Sequence, residues 1–161
     1  MACFCPSSAC HSAVLNFRCA DGCFIGGRNE AETRDVSRRA RALAASLGKP
    51  IRTYCMMTVI CAATDAQAQS RAQTYRDGLD EGAVQGMLES YGAAGNAMTA
   101  RAQGAFMTQT VVGSPATCAA RIENFLRDCD IDGLMFIYDD YVQGLRVTAH
   151  EILPRLREAF A

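Results

Sequence analysis

Thr110 to Tyr141 reads TVVGSPATCAARIENFLRDCDIDGLMFIYDDY, and this one stretch spells strand, helix, strand. A short extended piece ends at Gly113. Ser114 then stands at a helix N-cap, and Pro115 at the first helical position, where a missing N–H costs nothing. Cys118, Ile122, Phe125, Leu126 and Cys129 recur at helical spacing and predict a buried stripe. After a turn at Asp130 to Gly133, five apolar or aromatic residues run into Asp139 and Asp140. Two strands joined by a helix that crosses over must lie parallel, so the stretch predicts an α/β architecture.

Working outward, the pattern repeats. Asp21 to Gly27, DGCFIGG, predicts a strand closed by glycines, and Asn29 with Glu32 forms a capping-box pattern for the helix that follows. Its predicted stripe is Val36, Ala40, Leu43, Ala44 and Leu47, and Gly48 with Pro50 stops it. Ile51 to Ala63, IRTYCMMTVICAA, is apolar on successive residues, as in a strand covered on both faces, which puts Met56 and Met57 in the core. Thr64 with Gln67 caps another amphipathic helix carrying Ala68, Ala72, Tyr75, Leu79, Ala83 and Met87, its far end weakened by glycines at 78, 82 and 86. Residues 90–108 turn to glycine, alanine and polar types and read as a flexible insertion. Leu145, Ala149, Ile152, Leu153, Leu156 and Phe160 predict a final helix, with Pro154 forcing a kink or restart near His150.

The bulk properties narrow the function. In 161 residues, half hydrophobic, a net charge of −1 supplies no basic field for nucleic acid or an anionic membrane. The local cluster Arg38, Arg39 and Arg41 reads as a solvated helix face. No apolar run approaches the roughly 20 residues of a membrane span, and MACFCPSSACHSAVLNF lacks the basic start and continuous apolar core of a secretory leader. The expectation is a cytoplasmic chain whose nine cysteines are mostly free thiols.

Three evident strands are too few for a stable parallel sheet buried on both faces, and an eight-stranded β/α barrel takes about 250 residues. The chain reads as part of a larger barrel. ADGCFIGGRNEAE, GKPIRTYCMMTVICAATDAQAQSRAQTYRDGLDEGAV and the stretch from Thr110 through the Leu153-Pro154 helix to Phe160 resemble, in order, the C-terminal part of bacterial-luciferase-like flavin-dependent monooxygenases. Within that family the similarity runs to the pyrimidine monooxygenase branch. It rests on the Ala-Asp strand start near 20, the Gly-Ser-Pro helix start at 113–115, the Asp-Gly strand start at 132–133 and the Leu-Pro of the last helix.

The resemblance covers residues 18–161 and implies the C-terminal part of a (β/α)8 TIM-like barrel, incomplete, with mostly parallel strands and covering helices. It further implies that reduced FMN, supplied by a separate flavin reductase, reacts with O2 to oxygenate a small organic substrate such as a pyrimidine. The family's N-terminal half, which carries most flavin and oxygen-handling residues, has no counterpart here. The implied state is an incomplete, inactive C-terminal fragment; the alternative is a non-catalytic remnant, or a structural subunit that depends on a partner, in a homo-oligomer or with a complementing chain. Residues 1–17 match poorly, and the expected origin is a frameshift upstream of Phe17 or a mistaken start codon in a broken reading frame.

Site residues divide between chemical and structural readings. The family's phosphate-holding Gly/Ser turn falls on Ser7 and Ser8, although Ser8 stands one residue too far from Asp21. Gly26 and Gly27, at the C-terminal end of a strand, lie where β/α barrels bind ligands, or simply allow a tight turn. Successive strand residues point to opposite faces, so Asp139 and Asp140 cannot converge on one atom as an acid–base pair. Asp140 with Gln143 has capping spacing, and Asp139 is the candidate substrate-facing residue. Cys3, Cys5, Cys10, His11, Cys19 and Cys23 lack the paired spacing of a zinc site. Cys55, Cys61, Cys118 and Cys129 read as core packing, and nothing positions His11 or His150 beside a nucleophilic thiol.

Overall fold

A computed structural model of the chain describes residues 20–27, 29–90, 105–106 and 108–161. Strand β1 (Gly22–Ile25) leads to helix α1 (Glu30–Ser46), and β2 (Arg52–Cys61) to α2 (Asp65–Asp77) and α3 (Glu81–Ser90). Strand β3 (Gln109–Gly113), helix α4 (Pro115–Cys129) and β4 (Gly133–Tyr138) follow. Helix α5 (Tyr141–Val147) runs through a π-helical turn (Thr148–Ile152) into α6 (Leu153–Ala159). Strands β1 and β3 each pair with β2 in parallel, and β4 also pairs with β2. The mostly parallel α/β reading of the sequence therefore holds. The chain forms two compact units, Met1–Met56 with Phe125–Met135 and Met57–Asn124 with Phe136–Ala161.

In the first unit Gly22 to Ile25 pair in register with Arg52 to Cys55. The first half of β2 alternates, contrary to the expectation of burial on both faces. Thr53 and Cys55 are buried, while Tyr54 is half-buried and Met56 is 37% exposed, so only Met57 of the methionine pair is core. Helix α1 covers the Thr53 face. Its buried line is Thr33, Ser37, Ala40 and Ala44, rotated from the predicted stripe, with Val36, Leu43 and Leu47 only half-buried. Burial of Thr33 and Ser37 is possible because each hydroxyl has a partner. Thr33 Oγ1 donates to Asn29 O at 2.9 Å, and Ser37 Oγ donates to Asp130 O at 2.7 Å and lies 3.3 Å from Thr53 Oγ1.

Arg41 corrects another expectation. Arg38 and Arg39 do lie on the exposed face, but Arg41 is turned inward, donating to Asp132 Oδ2 at 2.9 Å and to Asp130 O at 3.2 Å. Asp132 also accepts from Thr53 N at 2.7 Å. This network ties α1, the start of β2 and the α4–β4 turn together at the N-terminal ends of the strands, the end of a β/α fold that serves stability. Asp130 takes a left-handed φ of 51°, which aspartate tolerates better than most residues.

In the second unit Met57 to Cys61 pair in register with Gln109 to Gly113. Ile60, Val112, Ala68 and Ala72 form a core cluster that fixes α2 over the two strands, with Ala62 and Phe106 packed against it. Burying Ile60 or Val112 contributes roughly 1.5–3 kcal/mol each. The single helix predicted from Ala68 to Met87 is two. Helix α2 ends at Gly78, and Asp80 Oδ1 accepts from Ala83 N at 2.9 Å to start α3, whose buried residue is Leu88. Tyr75 and Ala83 are consequently exposed.

The end of the chain follows the proline argument. Pro154 cannot donate, and the π-helical turn at Thr148–Ile152 absorbs the missing bond just before it. Thr148, Ile152 and Leu156 make the buried line, whereas Leu145, Ala149 and Phe160 of the predicted stripe are exposed. Tyr138 Oη and Thr148 Oγ1 share a buried hydrogen bond at 2.9 Å. Gly144 sits against the Tyr138 ring, where a Cβ would stand 2.4 Å from ring carbons. Among the described residues no helix is long and apolar enough to cross a membrane. Residues 1–19 and most of the predicted insertion lie outside the described residues.

Candidate functional site at the strand C-termini

Parallel β/α folds place ligand chemistry at the C-terminal ends of their strands, because the loops there face a common mouth. In the first unit that end is the turn after β1. Gly27 is buried, and a Cβ on it would lie 2.4 Å from Thr33 N and 2.7 Å from Glu32 C. The glycine lets the turn touch the first turn of α1, and the space is filled by backbone. The N-terminus of α1 is itself capped, Glu32 N donating to Asn29 Oδ1 at 2.9 Å. Gly26 is half-buried at the strand end. Ser7 and Ser8 lie outside the described residues, as do Cys3, Cys5, Cys10, His11 and Cys19 of the weighed zinc set.

In the second unit the ends of β2, β3 and β4 carry two polar clusters. Asp139, just past β4, accepts through Oδ2 from Arg71 Nη1 at 3.2 Å and from Tyr75 Oη at 3.0 Å, and through Oδ1 from Asp140 N at 3.0 Å. Its side chain is only 12% exposed although the residue lies at the surface. Arg71 Nη1 also donates to Cys61 O at 3.3 Å, so one guanidinium ties the end of β2 to the turn after β4. Burial and the bond to Asp139 hold the Tyr75 phenol above its usual range. Asp139 is thus a fixed acceptor oriented by α2. Asp140 turns away and caps α5, accepting from Gln143 N at 3.0 Å, as its spacing required.

The other cluster closes the Gly-Ser-Pro start of α4. Asp65 Oδ1 accepts from Ser114 N at 2.6 Å and Oδ2 from Thr117 Oγ1 at 3.1 Å, and the Ser114 backbone bond, with the hydroxyls, holds its carboxyl below the usual carboxylate range. A Cβ at Gly113 would meet Thr117 and Asp65 within 3.0 Å, so the glycine is what lets the carboxylate reach the helix start. An anion therefore already sits on this N-terminus, and the chain supplies it. Spacing within α2 gave no sign of Asp65, Arg71 or Tyr75, because their partners lie about 50 or more residues away.

The buried thiols have no reactive setting. Burial pushes Cys118 up to about 12 and Cys129 up to about 11, and raises Cys61 as well. Cys118 Sγ donates to Gly113 O at 3.4 Å as a packing contact. Cys55, Cys61, Cys118 and Cys129 are all buried, as their stripes predicted, and Cys23 is half-buried. No metal-binding group of His, Cys, Asp and Glu occurs among the described residues.

Comparison with known proteins agrees with this geometry. The pyrimidine monooxygenase RutA of Caulobacter vibrioides is 26% identical over 165 aligned residues, covering 95% of this chain and 47% of that protein. DmoA of Hyphomicrobium sulfonivorans superposes with a TM-score of 0.73 at 19% identity, covering 92% of this chain and 39% of DmoA. The oxygenating constituent of 3,6-diketocamphane monooxygenase of Pseudomonas putida, solved in complex with FMN, gives a TM-score of 0.53 at 19% identity, over 90% of this chain and 45% of that one. The chain spans less than half the length of the curated relatives it matches, 47% in Caulobacter vibrioides and 35% in the Acinetobacter baylyi RutA. The family described as luciferase-like monooxygenase matches residues 9–131, across β1, α1, β2 and the whole β3–α4 unit. The chain belongs to the luciferase-like monooxygenase family.

Proposed function

We propose that this chain provides the C-terminal strands and helices of a flavin-dependent oxygenase barrel, and that turnover requires the remaining strands from another polypeptide segment. The observation that carries this reading is the family match laid along the parallel strands β1, β2 and β3. In this reading Ser7 and Ser8 hold the FMN phosphate, and Gly26 and Gly27 contribute to the cofactor site. Reduced FMN, delivered by a separate reductase, supplies the electrons with which O2 is activated. Asp139, fixed by Arg71 and Tyr75, lines the mouth and accepts a hydrogen bond from a small organic substrate. The names of the relatives favour a pyrimidine, whose ring N–H groups would suit such an acceptor.

A non-catalytic role is the second reading. It is favoured by the capping of the helix starts after β1 and β3, by Asn29 and Asp65, which leaves neither of these two free for phosphate. Titration of the purified chain with oxidised and with anaerobically reduced FMN separates the two. Saturable flavin binding that weakens at least about tenfold in Ser7→Ala/Ser8→Ala supports the flavin reading, since a lost charge-assisted bond is worth about 1.5–3 kcal/mol. Failure of a folded protein to take up either form supports the non-catalytic one.

A further inference from the structure

Arg71, Tyr75 and Asp139 all belong to the second compact unit, and the hydrogen bonds among them have a direction. An ionised carboxylate only accepts, so Tyr75 Oη must direct its one O–H at Asp139 Oδ2, 3.0 Å away. The phenol oxygen then has lone pairs to offer and no proton. Burial and that same bond hold the phenol above its usual range, which keeps its proton in place at neutral pH. Arg71 is the opposite case, since a guanidinium only donates. Its Nη1 serves Cys61 O and Asp139 Oδ2, while Nη2 and Nε have no partner among the described residues and stay within reach of solvent. Asp139 already accepts three bonds of the about four that a carboxylate can take. Its side chain is 12% exposed, against 38% for that of Arg71, and Tyr75 is 41% exposed. The two residues of α2 are therefore the accessible part of the cluster.

We propose that Tyr75 and Arg71 determine specificity at this mouth, the phenol oxygen accepting an N–H of the ligand while the free N–H groups of the guanidinium donate to the carbonyl beside it. The inference rests on the reading above that places Asp139 at the substrate mouth. Arg71 Nη1 and Tyr75 Oη converge on one carboxylate oxygen, so a donor and an acceptor stand side by side. That pairing fits the cis-amide edge of a lactam, an imide or a cyclic ureide, where N–H and C=O point the same way. It disfavours a carboxylate or a phosphate, which offers Tyr75 no proton and brings a second negative charge beside Asp139.

The test is an amide NMR titration of the full chain with uracil and with N,N′-dimethyluracil, which keeps both carbonyls and lacks both N–H groups. Uracil should produce saturable shifts at Asp139, Asp140 and the α2 amides around Tyr75, with an affinity about tenfold above that of the dimethyl compound. Tyr75→Phe should remove most of that preference, and Arg71→Ala should weaken both compounds by a similar factor, with the far-UV circular dichroism unchanged in each. A Tyr75 that only braces Asp139 would lower both affinities alike and leave the preference intact, and that result overturns the proposal. So does a folded chain that gives no saturable shifts with uracil, or an Arg71→Ala protein that binds both compounds as the parent does. FMN titration of the same samples keeps the two readings apart. Flavin uptake without uracil binding sinks this inference and leaves the flavin reading, whereas uracil binding without flavin uptake does the reverse.

Discussion

Replacing Gly27 by alanine probes whether the turn after β1 is a packing device or an empty cradle. The added methyl group would stand 2.4 Å from Thr33 N, 2.7 Å from Glu32 C and 2.8 Å from Thr33 Oγ1. Two of those three atoms are backbone, so no rotamer relieves the contact, and the first turn of α1 must retreat by about 1 Å to reach ordinary van der Waals distance. Overpacking of this kind costs about 1–3 kcal/mol, and disturbing the Asn29 cap adds about 1 kcal/mol. For a chain of this size each kcal/mol lowers Tm by about 2–4 °C, which gives an expected fall of about 4–16 °C. Gly86→Ala is the matched control. Nothing lies within 4 Å of its Cβ position and it sits inside α3, so alanine should stabilise by about 0.5–1 kcal/mol. Thermal unfolding followed by far-UV circular dichroism reads both. A Gly27→Ala protein with unchanged Tm and impaired flavin uptake would refute the packing argument and return Gly27 to the ligand.

Other outcomes follow from the same contacts. Asp132 is pushed up by burial, but the Thr53 N–H and Arg41 outweigh this and leave its carboxyl below the usual range. A lowered folded value means that its contribution is complete above the unfolded value of about 4 and fades as pH falls through the folded one. Urea unfolding should therefore show Asp132→Asn destabilised at pH 7, with the gap to the parent closing towards pH 3; a gap that widens on acidification would contradict the network. Ile122, fully buried in α4, should cost about 2–5 kcal/mol when cut to alanine, and a loss below 1 kcal/mol would show that the α4 stripe is misplaced. Peptide-resolved alkylation at pH 8 should leave Cys55, Cys61, Cys118 and Cys129 unmodified until denaturant is added, and fast native labelling of Cys118 would contradict its burial.

Much of this architecture is legible along the chain because local chemistry carries it. Asn29, Thr64, Ser114 and Asp140 announce the starts of α1, α2, α4 and α5, since a cap needs only a partner three residues away. Pro154 announces the irregular turn before it for the same reason. What hydrophobic periodicity could not show is burial of polar groups satisfied from a distance. Ser37 and Thr53 look like surface residues, and Arg41 like one of three solvated arginines. Their burial depends on Asp130 and Asp132, some 80 to 90 residues further on. The openness of Met56 was hidden for the opposite reason, because an apolar strand looks the same whether its second face is covered or awaits a partner. At the candidate site the strand-end position of Asp139 was readable, but its fixation by Arg71 and Tyr75 was not, as α2 places both from outside the strand.

A crystal structure of the full chain grown with FMN tests the central claim most directly. The account predicts the parallel β1–β2–β3 register with the flavin phosphate at the C-terminal ends of the strands, beside Ser7, Ser8 and Gly26. Flavin at the opposite end, against the Arg41–Asp132 network, would contradict it, and so would an intact sheet with no flavin bound at saturating concentration.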